Sequence, residues 1–143
     1  MSTLELSTWP AGHETLARAL VEALPGAHHA REIPRVRPAS VPQPNCHDAV
    51  DAWLATHPGT QAVRGWLGVL TVGPQLLFAA HSVVRDVDGT LVDVTFSAHD
   101  PGIPFIPHPR AMGGFFALLC RPQPLHELRV FVPPAGAVAV EVR

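Results

Sequence analysis

Residues 76–95 read LLFAAHSVVRDVDGTLVDVT, which is two apolar segments on either side of Asp88-Gly89. Apolar and β-branched residues around an Asp-Gly pair are typical of two strands joined by a tight turn. We therefore predict a β-hairpin with strands at 76–85 and 90–96 and a two-residue loop.

Each strand of this hairpin contains one polar side chain that needs a partner, His81 in the first and Asp93 in the second. A histidine or a carboxylate in an apolar strand is costly unless it is hydrogen-bonded or paired. With a two-residue loop, paired residues have numbers that sum to about 177. In that register Asp93 lies about three residues, roughly 10 Å along the strand, from the position opposite His81. A bulge or a longer loop would bring them closer.

Upstream of the hairpin, residues 45–50 read NCHDAV. Asn45 is a strong N-cap residue, and Asp48 lies where an acidic group favours the exposed N–H groups of a first turn. We predict a helix that starts at Asn45 and ends at 57–59, where the sequence is His-Pro-Gly. Cys46 then lies in the first turn, where the partial positive charge stabilises a thiolate, the form that attacks carbonyl carbon.

The remaining pattern completes a single α+β domain over residues 1–143. Residues 7–10 look like the start of an earlier helix, whose apolar side chains recur at helical spacing and which Pro25-Gly26 ends. Further strands are predicted at 32–36, 62–72, 127–132 and 137–142, proline-rich loops at 28–44 and 101–109, and either helix or strand at 112–120. In this arrangement the Cys46 helix packs on an antiparallel β-sheet.

Composition excludes several classes of function. Apolar residues make up 47% of the 143 residues and charged residues 15%, and the formal net charge is -2. No Lys/Arg cluster is present, which argues against nucleic-acid binding, and no apolar run approaches the length of a membrane span. No secretory signal is visible, and two cysteines do not make a disulfide framework. We therefore expect a cytoplasmic protein, in which a free thiol is stable.

Cys46, His81 and Asp93 supply a thiol, an imidazole and a carboxylate in that order. A cysteine nucleophile needs a base within hydrogen-bond reach and a third group that orients the base. Cys120, at the end of an apolar run, fits an inert buried small residue.

Four segments together resemble the transglutaminase-like branch of papain-like cysteine enzymes: Cys46-His47-Asp48-Ala49, Val63-Arg64-Gly65-Trp66, His81-Ser82-Val83-Val84 and Leu91-Val92-Asp93-Val94-Thr95. They also resemble a group of small bacterial proteins. The resemblance implies a papain-like core with Cys46 as nucleophile, His81 as base and Asp93 as orienter. It implies a peptide or amide substrate and no cofactor.

Three further residues are candidates for binding substrate or the oxyanion: Gln43, Asn45 and Trp66. Trp66 could line an acyl pocket, and Gln43 precedes the cysteine as a glutamine does in papain-like enzymes. Arg64 is either a clamp for a substrate carboxylate or a surface charge.

Three functions remain open from the sequence. The first is a cysteine acyl-transfer enzyme, which is an amide or peptide hydrolase, deamidase or transamidase. The second is a non-catalytic binding or accessory module with the same fold, because fold does not fix function. The third is a His/Cys metal-binding protein, although its nine histidines show no CxxC, HxH or HExxH spacing. No metal ligands are therefore predicted.

Overall fold

The computed structural model describes residues 6–32, 46–70, 75–95, 102–120 and 124–131. These ranges contain three α-helices and a largely antiparallel open sheet, a mixed architecture compatible with the predicted α+β class. Two of the substrate or oxyanion candidates, Gln43 and Asn45, lie outside the described residues, as does the predicted strand 137–142.

The helices are α1 (Glu14–Ala23), α2 (Cys46–Thr56) and α3 (Phe115–Leu119), with 3-10 turns at Leu24–Gly26 and Arg110–Met112. The strands are β1 (Ser7–Trp9), β2 (His28–His29), β3 (Arg31–Glu32), β4 (Gln61–Leu70), β5 (Gln75–Arg85), β6 (Leu91–Asp93), β7 (Pro104–Pro107) and β8 (Glu127–Phe131). Their order in the sheet is β1-β8-β5-β4-β7-β2, and β6 pairs with β5 and, in parallel, with β3.

The β4–β5 hairpin lies at the centre of the sheet and pairs in register from Gln61↔Arg85 to Leu70↔Leu76. Side chains alternate between the two faces of a strand, so each face carries its own apolar cluster. One face packs against α1 and α2, and its buried members include Leu16, Leu20, Ala49, Val50, Trp66, Phe78 and Val84. The buried members on the other face are Ala30, Leu67, Val83 and Phe105. Both long helices therefore lie on the same side of the hairpin.

The β5–β6 turn has three loop residues, 87–89, so the predicted two-residue loop was wrong. The Asp86 N–H donates to the Thr90 carbonyl at 2.8 Å, and the Gly89 N–H donates to the Asp86 carbonyl at 2.9 Å. Gly89 has a φ of 89°, the left-handed conformation that closes a three-residue hairpin loop. The longer loop pairs Val84 with Val92, which shifts the register by one residue from the prediction.

The start of the chain also differs from its prediction, because residues 7–9 form β1 rather than the entrance to a helix. They pair with β8, which lies more than a hundred residues later. Pro10 disfavours a helical conformation at the residue before it, so Trp9 is extended. Helix α1 begins at Glu14 and is followed by the 3-10 turn that contains the predicted Pro25-Gly26 stop.

The predicted loop 101–109 contains a strand, β7, which pairs with β4. Its two prolines lie at the ends of the strand, where a missing N–H is tolerated. The close approach of β7 to β4 depends on Gly65, because a Cβ there would collide with the backbone carbonyl of Ile106 and the ring of Phe105.

Residues 115–119 resolve the ambiguous segment 112–120 as helix. Cys120 follows α3 and is exposed, so the prediction of a buried small residue was wrong. The helix buries Phe115 and Leu119, and its end leaves the next side chain in solvent. Among the described helices, none combines the length and the hydropathy of a membrane span.

Candidate active site

Cys46 is the first residue of helix α2, as the sequence predicts, and its thiol is half-buried. Ala49 and Val50 of the helix are buried and pack with Val84 and Val92 of the sheet. This packing fixes the N-terminus of α2 beside β5. Cys46 thus lies in the first turn of a helix, where backbone N–H groups that have no acceptor within the helix stabilise nearby negative charge.

His81 and Asp93 meet on adjacent strands, β5 and β6. His81 Nε2 donates to Asp93 Oδ2 at 2.7 Å, and only 3% of His81 and 4% of Asp93 is exposed. The second carboxylate oxygen, Oδ1, accepts the backbone N–H of Thr95 at 2.8 Å. The Asp93 carboxylate is therefore held on both oxygens, and the imidazole is held in one orientation.

The Cys46 side chain lies near enough to His81 to contribute to the pKa of its imidazole. Burial lowers the pKa of His81, but the hydrogen bonds to Asp93 and Cys46 and their negative charges outweigh it and raise the pKa to about 9. The structure therefore joins His81 to Asp93 by a buried hydrogen bond, and the Cys46 side chain contributes to the pKa of that imidazole.

A second histidine, His47, contacts the same thiol. Its Nδ1 and Nε2 lie 3.7 and 3.8 Å from Cys46 Sγ. Nδ1 is also 2.5 Å from the hydroxyl of Ser82. Burial and the positive charges of Arg64, His81 and His126 lower the pKa of His47, against a smaller opposing effect of Asp48.

Ser82 connects His47 to Arg64 of the neighbouring strand. Arg64 lies directly across from Ser82 in the β4–β5 register, and its Nη1 donates to Ser82 Oγ at 3.1 Å. Its Nη2 donates to Asp51 of α2 at 2.8 Å, and its guanidinium lies 4.8 Å from the centre of the Phe116 ring. Arg64 is therefore neither an unpaired surface charge nor an open clamp, the two roles considered from the sequence.

Trp66, the third substrate or oxyanion candidate, is fully buried. Its indole N–H donates to His108 Nδ1 at 3.1 Å, and His108 Nε2 donates in turn to the Gly113 carbonyl at 3.1 Å. The Trp66 ring packs edge-on against Phe115, which also contacts His47. Trp66 thus supports the aromatic wall beside His47, and its own N–H is engaged elsewhere.

A cavity of about 610 Å³ lies on the other face of the sheet, between the end of α1 and β7. Phe105 lines this cavity and also contacts His81 edge-on, with 6.3 Å between the ring centres. The cavity volume falls in the range of small-molecule sites. Phe105 is therefore the side chain shared by the cavity and the His81–Asp93 pair.

Sequence reasoning missed the roles of His47, Ser82 and Arg64. The available signal was the register itself, because Arg64 and Ser82 are polar residues at directly paired positions of two apolar strands. A buried hydroxyl opposite a guanidinium predicts a hydrogen bond, but only once the pairing is known.

Among the described residues, no group of three or more His, Cys, Asp and Glu side chains could hold a metal ion. Comparisons of the chain with protein-family models, with curated proteins and with solved structures give no match.

Proposed function

We propose that this protein is a cysteine-dependent acyl-transfer enzyme with a papain-like, transglutaminase-like core. Cys46 is the nucleophile, His81 the base and Asp93 the orienter. The observation that carries the proposal is the buried hydrogen bond between the His81 imidazole and the Asp93 carboxylate, near the Cys46 thiol. His81 Nε2 donates to Asp93 at 2.7 Å, and the Cys46 side chain contributes to the raised pKa of the same ring.

In the proposed reaction, His81 takes the proton of the Cys46 thiol, and Asp93 stabilises the imidazolium that results. The sulfur attacks a carbonyl carbon, an S–C bond forms, and the carbonyl π electrons move onto oxygen. When the C=O bond re-forms, the leaving group departs with the proton from His81 and leaves a thioester. Water or an amine then attacks the thioester, gives its proton to His81 and releases the thiolate.

We propose a peptide or another amide as the substrate, because amide carbonyls need both the nucleophile and the proton donor described above. The product depends on the acceptor: water gives hydrolysis or deamidation, and an amine gives transamidation. A thiol nucleophile requires a reducing compartment, so we propose the cytoplasm as its location.

The test uses two probes of the thiol, iodoacetamide and p-nitrophenyl acetate. In the wild type, we expect iodoacetamide to alkylate Cys46 at a pH well below that needed for an ordinary thiol. We also expect p-nitrophenyl acetate to acylate Cys46 and to release a burst of p-nitrophenolate. Cys46→Ala should abolish the burst, and His81→Ala should reduce the rate of the burst by several orders of magnitude. Retention of the burst in Cys46→Ala would reject the proposal.

The same test separates the enzyme from a non-catalytic binding module. A binding module with an ordinary thiol would show neither early alkylation nor a burst, while circular dichroism would report the same fold in wild type and variants. A silent wild type in both assays would therefore favour the module.

A further inference from the structure

The proposed reaction does not use His47, although its ring lies against the Cys46 sulfur. Both ring nitrogens are almost equally far from the sulfur, at 3.7 and 3.8 Å. A base that takes the thiol proton aims one nitrogen at the sulfur. The ring of His47 aims neither nitrogen at the sulfur in this way, so its position beside the sulfur suits a role other than that of the base.

The hydrogen bonds of Ser82 determine where the His47 proton sits. A guanidinium only donates, so Ser82 Oγ accepts from Arg64 Nη1. Within the part of the chain that the structure describes, His47 Nδ1 is the one acceptor recorded for the Ser82 hydroxyl. The hydroxyl therefore donates to Nδ1, and a neutral imidazole that accepts at Nδ1 carries its proton on Nε2.

The surroundings of His47 favour this neutral form. Burial and the positive charges of Arg64, His81 and His126 all lower the pKa of His47. The pKa of His81, to which the same thiol contributes, is raised to about 9. Environments that push the pKa values of two groups apart divide acid–base roles between them. His81 is suited to exchange protons, and His47 is suited to donate a hydrogen bond without losing its proton.

Packing holds the His47 ring in position. Phe115 and Phe116 both contact it edge-on, with 5.7 Å between ring centres in each case. Arg64 lies over Phe116 and is tied to Asp51 of α2, the helix that carries His47 itself. The same residues thus orient the ring and fix its tautomer, as a preorganised donor requires.

We propose that the Nε2–H of His47, oriented by Ser82 and Arg64, donates a hydrogen bond to the oxyanion that forms when the Cys46 sulfur attacks a carbonyl carbon. The inference rests on the proposed acyl-transfer function. A carbonyl oxygen in the tetrahedral intermediate lies roughly 2.7 Å from the attacking sulfur, and a donor nitrogen 3.8 Å from that sulfur can approach it within hydrogen-bond distance. His47 would then be a catalytic residue distinct from the three already assigned.

The first experiment compares two reactions of the same thiol in wild type, His47→Leu and His47→Gln. Acylation by p-nitrophenyl acetate forms an oxyanion, whereas alkylation by iodoacetamide displaces iodide and forms none. Loss of one oxyanion donor typically costs about 10²- to 10³-fold in rate, so His47→Leu should lose that much acylation while its alkylation profile with pH is retained. His47→Gln, which keeps an N–H near Nε2, should recover part of the acylation rate.

The control is His57→Leu, at the exposed C-terminal end of the same helix, which should leave both reactions unchanged. Equal losses of acylation and alkylation in His47→Leu would make His47 a base or a structural residue, and unchanged acylation would remove its role altogether. A wild type without any burst would instead reject the proposed function, and with it the inference.

The second experiment reads the tautomer directly by ¹⁵N NMR of the histidine rings in the resting protein. At pH 7, we expect His47 to be neutral with its proton on Nε2, and Ser82→Ala to replace this single state by a mixture of tautomers. An imidazolium or an Nδ1–H tautomer at His47 in the wild type would overturn the inference, whatever the acylation rates.

Discussion

His81 and Asp93 lie diagonally across the β5–β6 pair, with His81 Nε2 2.7 Å from Asp93 Oδ2. Side chains in this diagonal relation project from one face, and long ones can reach each other. The three-residue loop at 87–89 creates this relation, because it sets which residues of β6 face β5. The hairpin turn at 87–89, which is distant from Cys46 along the chain, therefore decides how His81 is oriented.

Replacing Asp93 by Asn should slow the alkylation of Cys46. Without the carboxylate, the pKa of His81 falls from its raised value of about 9, and the imidazole near the sulfur is protonated less often at neutral pH. We expect the alkylation rate of Cys46 at pH 6 to 7 to fall by about tenfold or more, since one pKa unit is a factor of ten in population. Asp88→Asn, an exposed change in the same hairpin, is the control. An unaltered alkylation profile together with a lower Tm would make Asp93 a purely structural partner.

The stability of the fold should depend on pH through His81. Its pKa is raised from 6.5 to about 9 on folding, so its contribution is fully present below about pH 6.5 and is lost as the pH rises through 9. We expect a loss of about 1 to 3 kcal/mol of unfolding free energy over that window. Urea unfolding of Cys46→Ser removes ionisation of the thiol and measures the part of this effect that Asp93 contributes, and Cys46→Ser/His81→Asn is the reference. Identical pH dependence in the two proteins would contradict the raised pKa.

Cys120 offers an internal reference for the reactivity of Cys46. Cys120 is exposed and Cys46 is half-buried, so accessibility alone favours labelling of Cys120. We expect mass spectrometry after a short iodoacetamide pulse at pH 6 to find Cys46 labelled first, because the proposed mechanism makes Cys46 the activated nucleophile. Cys120→Ser should leave activity and Tm almost unchanged. Preferential labelling of Cys120 would count against an activated Cys46.

A methyl group at Gly65 should separate β7 from β4. The added Cβ would meet the Ile106 carbonyl and the Phe105 ring, and backbone cannot move aside as a flexible side chain can. We expect Gly65→Ala to cost about 1 to 3 kcal/mol of stability, as overpacking does elsewhere. Gly26→Ala, where nothing lies within 4 Å, is the matched control for thermal unfolding. Because Gly65 lies across from His81, the variant should also slow acylation of Cys46. An equal Tm for both variants would show that β7 tolerates the displacement.

The sequence by itself determined the local elements of the site. The polar first turn around Cys46 and the apolar stripe of Val50, Trp53 and Leu54 specify a helix with the thiol at its start. The apolar segments around Asp88-Gly89 specify a hairpin that carries His81 on its first strand and Asp93 on its second. These features depend on neighbours within a few residues, which is why a sequence pattern contains them.

Only the tertiary structure decided how these elements meet. The register of β6 depends on whether Gly89 closes a loop of two or three residues, and both loops suit an Asp-Gly sequence. Strand β1 forms by pairing with β8, and β7 can pair closely with β4 because Gly65 has no side chain. The hydrogen bond between Arg64 and Ser82 forms because β4 and β5 align those two positions. Such pairings join residues far apart in the chain, and their energies depend on the assembled fold. No local propensity encodes them, so the orientation of His81 and the tautomer of His47 follow from the fold as a whole.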